Sequence, residues 1–268
     1  MPSRPQKIPP GCSFPAQTCA TLPFWARVKR PAGVSMKPLA IFVSGSLLGV
    51  CLTVAALYVK EPLSKRLTAL LSRPRTTDTT RVKLALRTHE AVMGSDSAAA
   101  TLVEFSDFQC RYCAIFRTKV FPQIKTKFID PGKLRFIHRH LPLSMHRNAK
   151  VAAQAAVCAG DQGQYWALSD LMFSRSSCLE CQGAIELSKV LELDRKSFEA
   201  CLSSNAHMDE IEKDMESAEQ LQIDGTPSFV LGRTTAHGVE GVVLRGLMPF
   251  AQFETQINAV LKSGSLKP

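Results

Sequence analysis

The chain has 268 residues, 45% of them hydrophobic, and a formal net charge of +10. That length holds one sizeable globular domain plus an anchor, since single cores rarely outgrow about 250–300 residues. The charge is unevenly placed: residues 1–37 carry 6 Lys/Arg and no acids, residues 60–87 carry 8 basic and 2 acidic residues, and residues 88–268 carry 19 basic and 21 acidic. A nucleic-acid binder needs its positive charge on the folded domain itself. Here the basic excess flanks an apolar segment instead, so no nucleic-acid partner is expected.

In chain order, residues 1–37 form a basic head, rich in proline (Pro2, Pro5, Pro9, Pro10, Pro15, Pro23, Pro31), that reads as disordered. Met36-Lys37 followed at once by an apolar run has the form of an export-signal start, so translation is expected to begin at Met36. Pro38 to Val59 is a run of 22 residues without a charge, long enough to cross a hydrocarbon core of ~30 Å as a helix. Val54-Ala55-Ala56 offers a cleavage site, but the run is long for a signal core of about 7–15 residues, which favours a transmembrane anchor. Processing at Cys51 as a lipoprotein is disfavoured by the bulk of Val50. Residues 60–87 read as a basic linker ending in an edge strand, Arg81 to Leu86.

The domain proper is expected over 88–268. Thr101 to Ser106 is a short apolar run of strand formers and reads as a buried strand. A helix follows from about Cys110 to Phe128, kinked at Pro122 and stopped by Asp130-Pro131-Gly132. Leu134 to Leu141 reads as a third strand. Residues 144–222 then lose strand character, with helices expected at 149–159, 165–173, 185–191, 194–202 and 208–221. Strands return at 228–231 and 241–244, and a last helix opens at Met248 or Pro249 and runs to Leu261.

Nine cysteines are many for a cytosolic chain of this size, and six of them (Cys110, Cys113, Cys158, Cys178, Cys181, Cys201) fall in the domain, an even number that suits an oxidising compartment. The chemistry centres on Cys110-Arg111-Tyr112-Cys113 at the start of a helix that follows a buried strand. Two intervening residues on a helical turn let the sulfurs meet as a disulfide. Cys110 at the helix N-terminus has its thiolate stabilised by free amides and the helix dipole, with the cation of Arg111 alongside. A low thiolate pKa makes Cys110 a good leaving group and the disulfide an oxidant. Cys113 is expected to be more buried and to resolve the mixed disulfide.

Three further features support dithiol chemistry. Glu104 shares a sheet face with Leu102, where a carboxylate beneath the cysteine pair can exchange the proton of Cys113. Gly225-Thr226-Pro227-Ser228 directly precedes a strand, a place where proline is allowed. A cis Thr226–Pro227 bond would leave Thr226 backbone groups free for a substrate strand, although local chemistry alone favours trans. Phe105 and Phe108 with Tyr112 are expected to form an apolar rim for unfolded polypeptide.

At this point the chain resembles the DsbA-like branch of the thioredoxin superfamily. The resemblance rests on Val103 to Cys113, Arg139-His-Leu-Pro-Leu143, Ala155 to Gly163 with Tyr165-Trp166, and Gly225-Thr-Pro-Ser-Phe229, in that order, covering roughly residues 90–262. It implies an α/β thioredoxin fold with an inserted helical subdomain at about 144–222, a cis bond at Pro227, and disulfide exchange with reduced or unfolded exported proteins. Thr226, Pro227, Arg111 and Tyr112 are expected to contact substrate, and the resemblance implies a structural disulfide between Cys158 and Cys201. A membrane quinone-linked protein would re-oxidise the site, and the catalytic domain would be periplasmic or otherwise extracytoplasmic. The family usually has proline where this chain has Arg111, a departure that bears on redox potential and so on the direction of electron flow.

Other readings compete. The second pair, Cys178 and Cys181, suits a local disulfide best, with a second redox couple or half of a metal site as alternatives. His138 and His140 alternate on one strand and point to the same face, but no third ligand is suggested, so no metal site and no cofactor are expected. A holdase or assembly factor with a secondary CxxC is one alternative function. A structural zinc protein using Cys110, Cys113, Cys178 and Cys181 is another.

Overall fold

The computed structural model describes residues 81–87, 90–176, 179 and 183–262. The head, the apolar run 38–59, most of the linker, and Cys178 and Cys181 lie outside the described residues. No helix among the described residues is long and apolar enough to cross a membrane.

Six strands form one mixed sheet: β1 (Arg81–Leu84), β2 (Ala91–Met93), β3 (Ala100–Ser106), β4 (Leu134–His140), β5 (Ser228–Thr235) and β6 (Gly238–Arg245), in the order β1-β6-β5-β3-β4-β2. The β3–β4 pair is parallel, with Glu104 opposite His138, and the other pairs are antiparallel. A parallel pair needs a crossover, supplied by the helix α1 over residues 111–129. It begins as an α-turn (Arg111–Ile115), widens to a π-turn (Phe116–Val120), returns to α (Phe121–Ile124) and ends in a second π-turn (Lys125–Ile129). Pro122, which has no N–H to give, lies just past the first widened turn, so the expected kink takes the form of a π-bulge.

Every residue of β3 is buried because both faces of the sheet are covered. On one face Ala100, Leu102, Phe136, Phe229 and Leu244 pack under Phe116, Phe121 and Ile124 of α1 and under Phe253 and Ile257 of the C-terminal helix (Phe250–Lys262), all in one apolar cluster. On the other, Val103, Phe105, Ile137, Val230 and Val243 meet Ala218 and Ile223. Each Phe removed from water this completely contributes ~2–3 kcal/mol.

Between β4 and β5 the chain builds a helical block: α2 (Ala149–Gly160), α3 (Tyr165–Ser174), α4 (Gly183–Ser188), α5 (Arg195–Ser204) and α6 (Met208–Gln220). The alanines of α2 (Ala152, Ala155, Ala156, Ala159) let Leu168, Met172, Phe173, Leu187 and Phe198 close around it, and the same cluster takes in Phe108, Cys110 and Cys113. The Asp194 side chain caps α5 by accepting from the Ser197 N–H at 2.7 Å, and Asn205 ends that helix in the left-handed region (φ 54). Cys158 on α2 and Cys201 on α5 are joined in a disulfide, with a Cα–Cα distance of 5.9 Å.

Candidate active site

The buried β3 ends at Ser106, and the next turn is held by one carboxylate. Asp107 accepts from the Gln109 N–H at 2.7 Å, from the Leu143 N–H at 2.8 Å, and lies 2.8 Å from His146 Nδ1. These bonds tie the turn before the cysteine pair to the segment after β4. The chain then enters α1 with Cys110 as the N-cap residue (φ −72°, ψ 116°). Its sulfur therefore faces the unpaired amides of the first turn. Both thiols are free and buried, Cys113 completely.

The two sulfurs are pushed apart in acidity. Cys110 falls from an ordinary 9.0 to about 5, chiefly through a hydrogen bond from Cys113, with help from Thr226 and the N–H groups of Cys113 and Tyr112, while burial opposes the fall. Cys113 rises well above 9.0, first through burial, then through the bond it gives to Cys110 and the negative charge of Glu104. Glu104 itself rises from 4.5 to about 8 because it is fully buried, opposed by its bond from Ser106 and by the charge of Arg117. Ser106 Oγ donates to Glu104 Oε1 at 2.9 Å, and Oε2 has no hydrogen-bond partner among the described residues. At neutral pH the arrangement holds a thiolate at Cys110, a thiol at Cys113 and a carboxylic acid at Glu104.

Opposite the pair, the Thr226–Pro227 peptide bond is cis, as the resemblance implied. With Cys110 protonated, its thiol donates to the Thr226 carbonyl at 3.4 Å. The loop is anchored on both sides: Ser228 Oγ donates to the Gly225 carbonyl at 2.6 Å and the Gly246 N–H to the Pro227 carbonyl at 2.8 Å. Arg111 and Tyr112 stand at the surface, the guanidinium 5.4 Å from the Tyr112 ring centre.

The apolar rim expected of Phe105 and Phe108 is corrected. Both are buried; only Tyr112, 51% exposed, faces solvent. Phe105 lies on a strand covered on both faces, and Phe108 stacks on His138 at a ring distance of 5.5 Å and meets Phe173 at a tilt, 4.7 Å away. Among the described residues the only three potential metal donors within 4.8 Å of one another are Cys158, Cys201 and His207, and the two sulfurs are already bonded to each other.

Sequence reasoning missed the polar layer beneath the site. His138 and His140 are buried and share the Tyr165 hydroxyl, at 2.7 and 3.2 Å. Burial pushes His138 well below 6.5 and His140 to about 3, so both are neutral. Arg117 is also buried, its Nε 2.6 Å from Asp170 and its guanidinium over the rings of Phe121 and Trp166 at 4.1 and 4.9 Å. Arg139 is buried against Glu90 and the Ala85 carbonyl, and Asp214 joins Arg87 and accepts from the His140 N–H at 2.8 Å. Each is a charged or aromatic residue in the sequence, but the partners that bury most of them lie far along the chain.

A dithiol at the N-terminus of a βαβ crossover helix, facing a cis-proline loop and roofed by an inserted helical block, defines a thioredoxin-type fold of the DsbA kind. A family model described as Thioredoxin matches residues 87–242. The chain belongs to the thioredoxin family. The crystal structure of alpha-DsbA1 of Wolbachia pipientis superposes with a TM-score of 0.58 at 24% identity, covering 68% of this chain and 95% of that one. A probable disulfide bond formation protein D of Bacillus anthracis is 28% identical over 153 residues, 54% of this chain and 70% of that protein. The Na(+)/H(+) antiporter NhaA 1 of Salinispora arenicola is 33% identical over 148 residues, but those make up only 22% of that protein and 55% of this chain.

Proposed function

We propose that the chain is a protein thiol–disulfide oxidoreductase that takes electrons from reduced exported polypeptides through Cys110 and Cys113. The observation that carries this reading is the opposed acidity of the two sulfurs, Cys110 down to about 5 and Cys113 well above 9.0, over a protonated Glu104.

The steps follow from those states. In the oxidised protein a substrate thiolate attacks Cys110 Sγ, forming a mixed disulfide and breaking the Cys110–Cys113 bond. The electron pair of that bond goes to Cys113, and Glu104 supplies the proton its buried sulfur needs. A second substrate thiolate then attacks the substrate sulfur of the mixed disulfide and expels Cys110 as a stable thiolate. The substrate is oxidised by two electrons and the protein reduced by two. Because a low-pKa Cys110 stabilises the reduced form, the oxidant direction is favoured. In the reverse direction Cys113 attacks the mixed disulfide and releases reduced substrate.

Thr226, with Pro227 fixing its backbone, positions a substrate strand beside Cys110, and Arg111 and Tyr112 border the approach. Residues 88–268 form the catalytic unit, held outside the cytoplasm by the apolar run 38–59 through the basic linker 60–87. A membrane protein linked to quinone returns the dithiol to its disulfide. The apolar length of that run supports an anchor, and the disulfide chemistry of the domain that follows supports its outer placement, since basic residues lie on both flanks of the run and do not orient it.

The test is transfer of one disulfide from the oxidised full chain to a reduced, unfolded polypeptide, followed by thiol counting. Transfer that disappears with Cys110→Ala supports the reading. No transfer, with aggregation of the polypeptide still suppressed, would establish the holdase alternative.

A further inference from the structure

Beside the cis-proline loop lies an open groove of about 750 Å³. One wall is a stripe of α6, where Glu212, Met215, Glu216 and Glu219 fall at helical spacing on one face. The wall continues through Gln222 to Asp224, and the floor is apolar, made by the buried side chains of Leu141 and Ile223. Lys150, at the start of α2, is the single cation lining it among the described residues. The four carboxylates have no cationic partner among the described residues. They stand on a domain that is otherwise near neutral, with 19 basic and 21 acidic residues over 88–268.

The groove is joined to the active site on two sides, to Cys110 through Thr226 and to Glu104 through Ser106. Asp224 is two residues before Thr226, at most ~7 Å of backbone away, and the Thr226 carbonyl accepts from Cys110. Leu141 gives its N–H to the Ser106 carbonyl at 2.8 Å, and the Ser106 hydroxyl holds Glu104. A polypeptide with one cysteine at Cys110 and its backbone along Thr226 is within a few residues' reach of α6.

We infer that this groove selects the substrate segment flanking the reactive cysteine, preferring basic side chains that alternate with apolar ones. The inference rests on the oxidoreductase reading and names its substrate preference. Lys or Arg ammonium and guanidinium groups meet the carboxylates of Glu212, Glu216, Glu219 and Asp224, while apolar side chains reach Leu141, Met215 and Ile223. Concentrated charge of one sign at a cleft raises encounter rates by about 10–10³ and loses that advantage as salt rises.

The experiment measures second-order rates of disulfide transfer from the oxidised full chain to two reduced dithiol peptides. The peptides share length and apolar residues and differ only in Lys/Arg or Asp/Glu beside the cysteines. The basic peptide is expected to react at least ~10-fold faster at low salt, with the gap closing near 1 M salt, where the screening length is ~3 Å. The triple variant Glu212→Gln/Glu216→Gln/Glu219→Gln should bring the basic peptide down toward the acidic one while leaving oxidation of dithiothreitol unchanged. Equal rates for the two peptides, or a gap that survives the triple variant, overturns the inference. A triple variant that speeds both peptides equally would mean that the groove does not select by charge, which also overturns it. If dithiothreitol itself is not oxidised, the oxidoreductase reading fails and the groove is not at issue.

Discussion

Glu104→Gln removes an ionisable group that the fold keeps neutral against its nature. The Glu104 carboxyl titrates at about 8 in the folded protein and at 4.5 when exposed. A raised folded pKa on a carboxyl means that the native state binds more protons than the unfolded chain between those two values. Stability therefore falls as pH rises through that window, by about 1.4 kcal/mol per pH unit at full slope. Integrated from about pH 5 to about pH 8, the Glu104 contribution amounts to a loss of a few kcal/mol, on the order of 3–4. The substituted glutamine does not titrate, and its amide oxygen can still accept from Ser106. Urea unfolding of the reduced wild type and variant at both pH values isolates the difference, because Cys110 titrates in both. The variant should gain on the order of 3–4 kcal/mol on the wild type between the two pH values. It should also exchange disulfides ~100-fold more slowly, the usual size of a lost general acid. Parallel stability profiles would refute the assignment of Glu104 as a buried, protonated acid.

Other outcomes follow from the same geometry. The Cys158–Cys201 bridge closes a loop of 43 residues, so Cys158→Ala/Cys201→Ala should lower unfolding stability by about 4 kcal/mol on the chain-entropy account, read by urea titration. A loss under about 1 kcal/mol would mean that packing of α2 on α5 suffices alone. Gly232 and Gly241 face each other in the β5–β6 ladder, and a Cβ on Gly241 would enter the backbone of Leu231. Gly241→Ala should therefore cost about 3 kcal/mol or more; a wild-type melting temperature would show that the hairpin opens without penalty.

Much of this architecture was legible from short-range signals. The run Thr101 to Ser106 reads as buried and is β3, and the Ala-rich stretch from Ala149 reads as a helix and is α2. The edge strand at Arg81 is also where it was expected. What stayed hidden depends on distant partners. β2 is three residues paired to β4 and carries no periodicity of its own. The β5–β6 hairpin runs on through Arg233, Thr234 and Thr235 to Gly238, a polar stretch whose strand character comes from cross-strand pairing, with Gly238 at φ +134° closing the turn. Phe108 looked like a rim residue because nothing local reveals that Phe173, 65 positions later, packs on it at 4.7 Å. In the site, Cys110, Cys113, Glu104 and the Thr226–Pro227 turn came from motif and strand phase, and the structure brings them together. Tyr165 with His138 and His140, and Arg117 beside Glu104, needed the fold.

The most direct measurement is the pH dependence of alkylation of Cys110 in the reduced full chain, read by mass spectrometry of the modified peptide. A half-maximal rate is expected near pH 5, where the Cys110 thiolate forms, with Cys113 unreactive until well above 9.0. A Cys110 that reacts only as pH approaches 9.0, like an ordinary thiol, would contradict it.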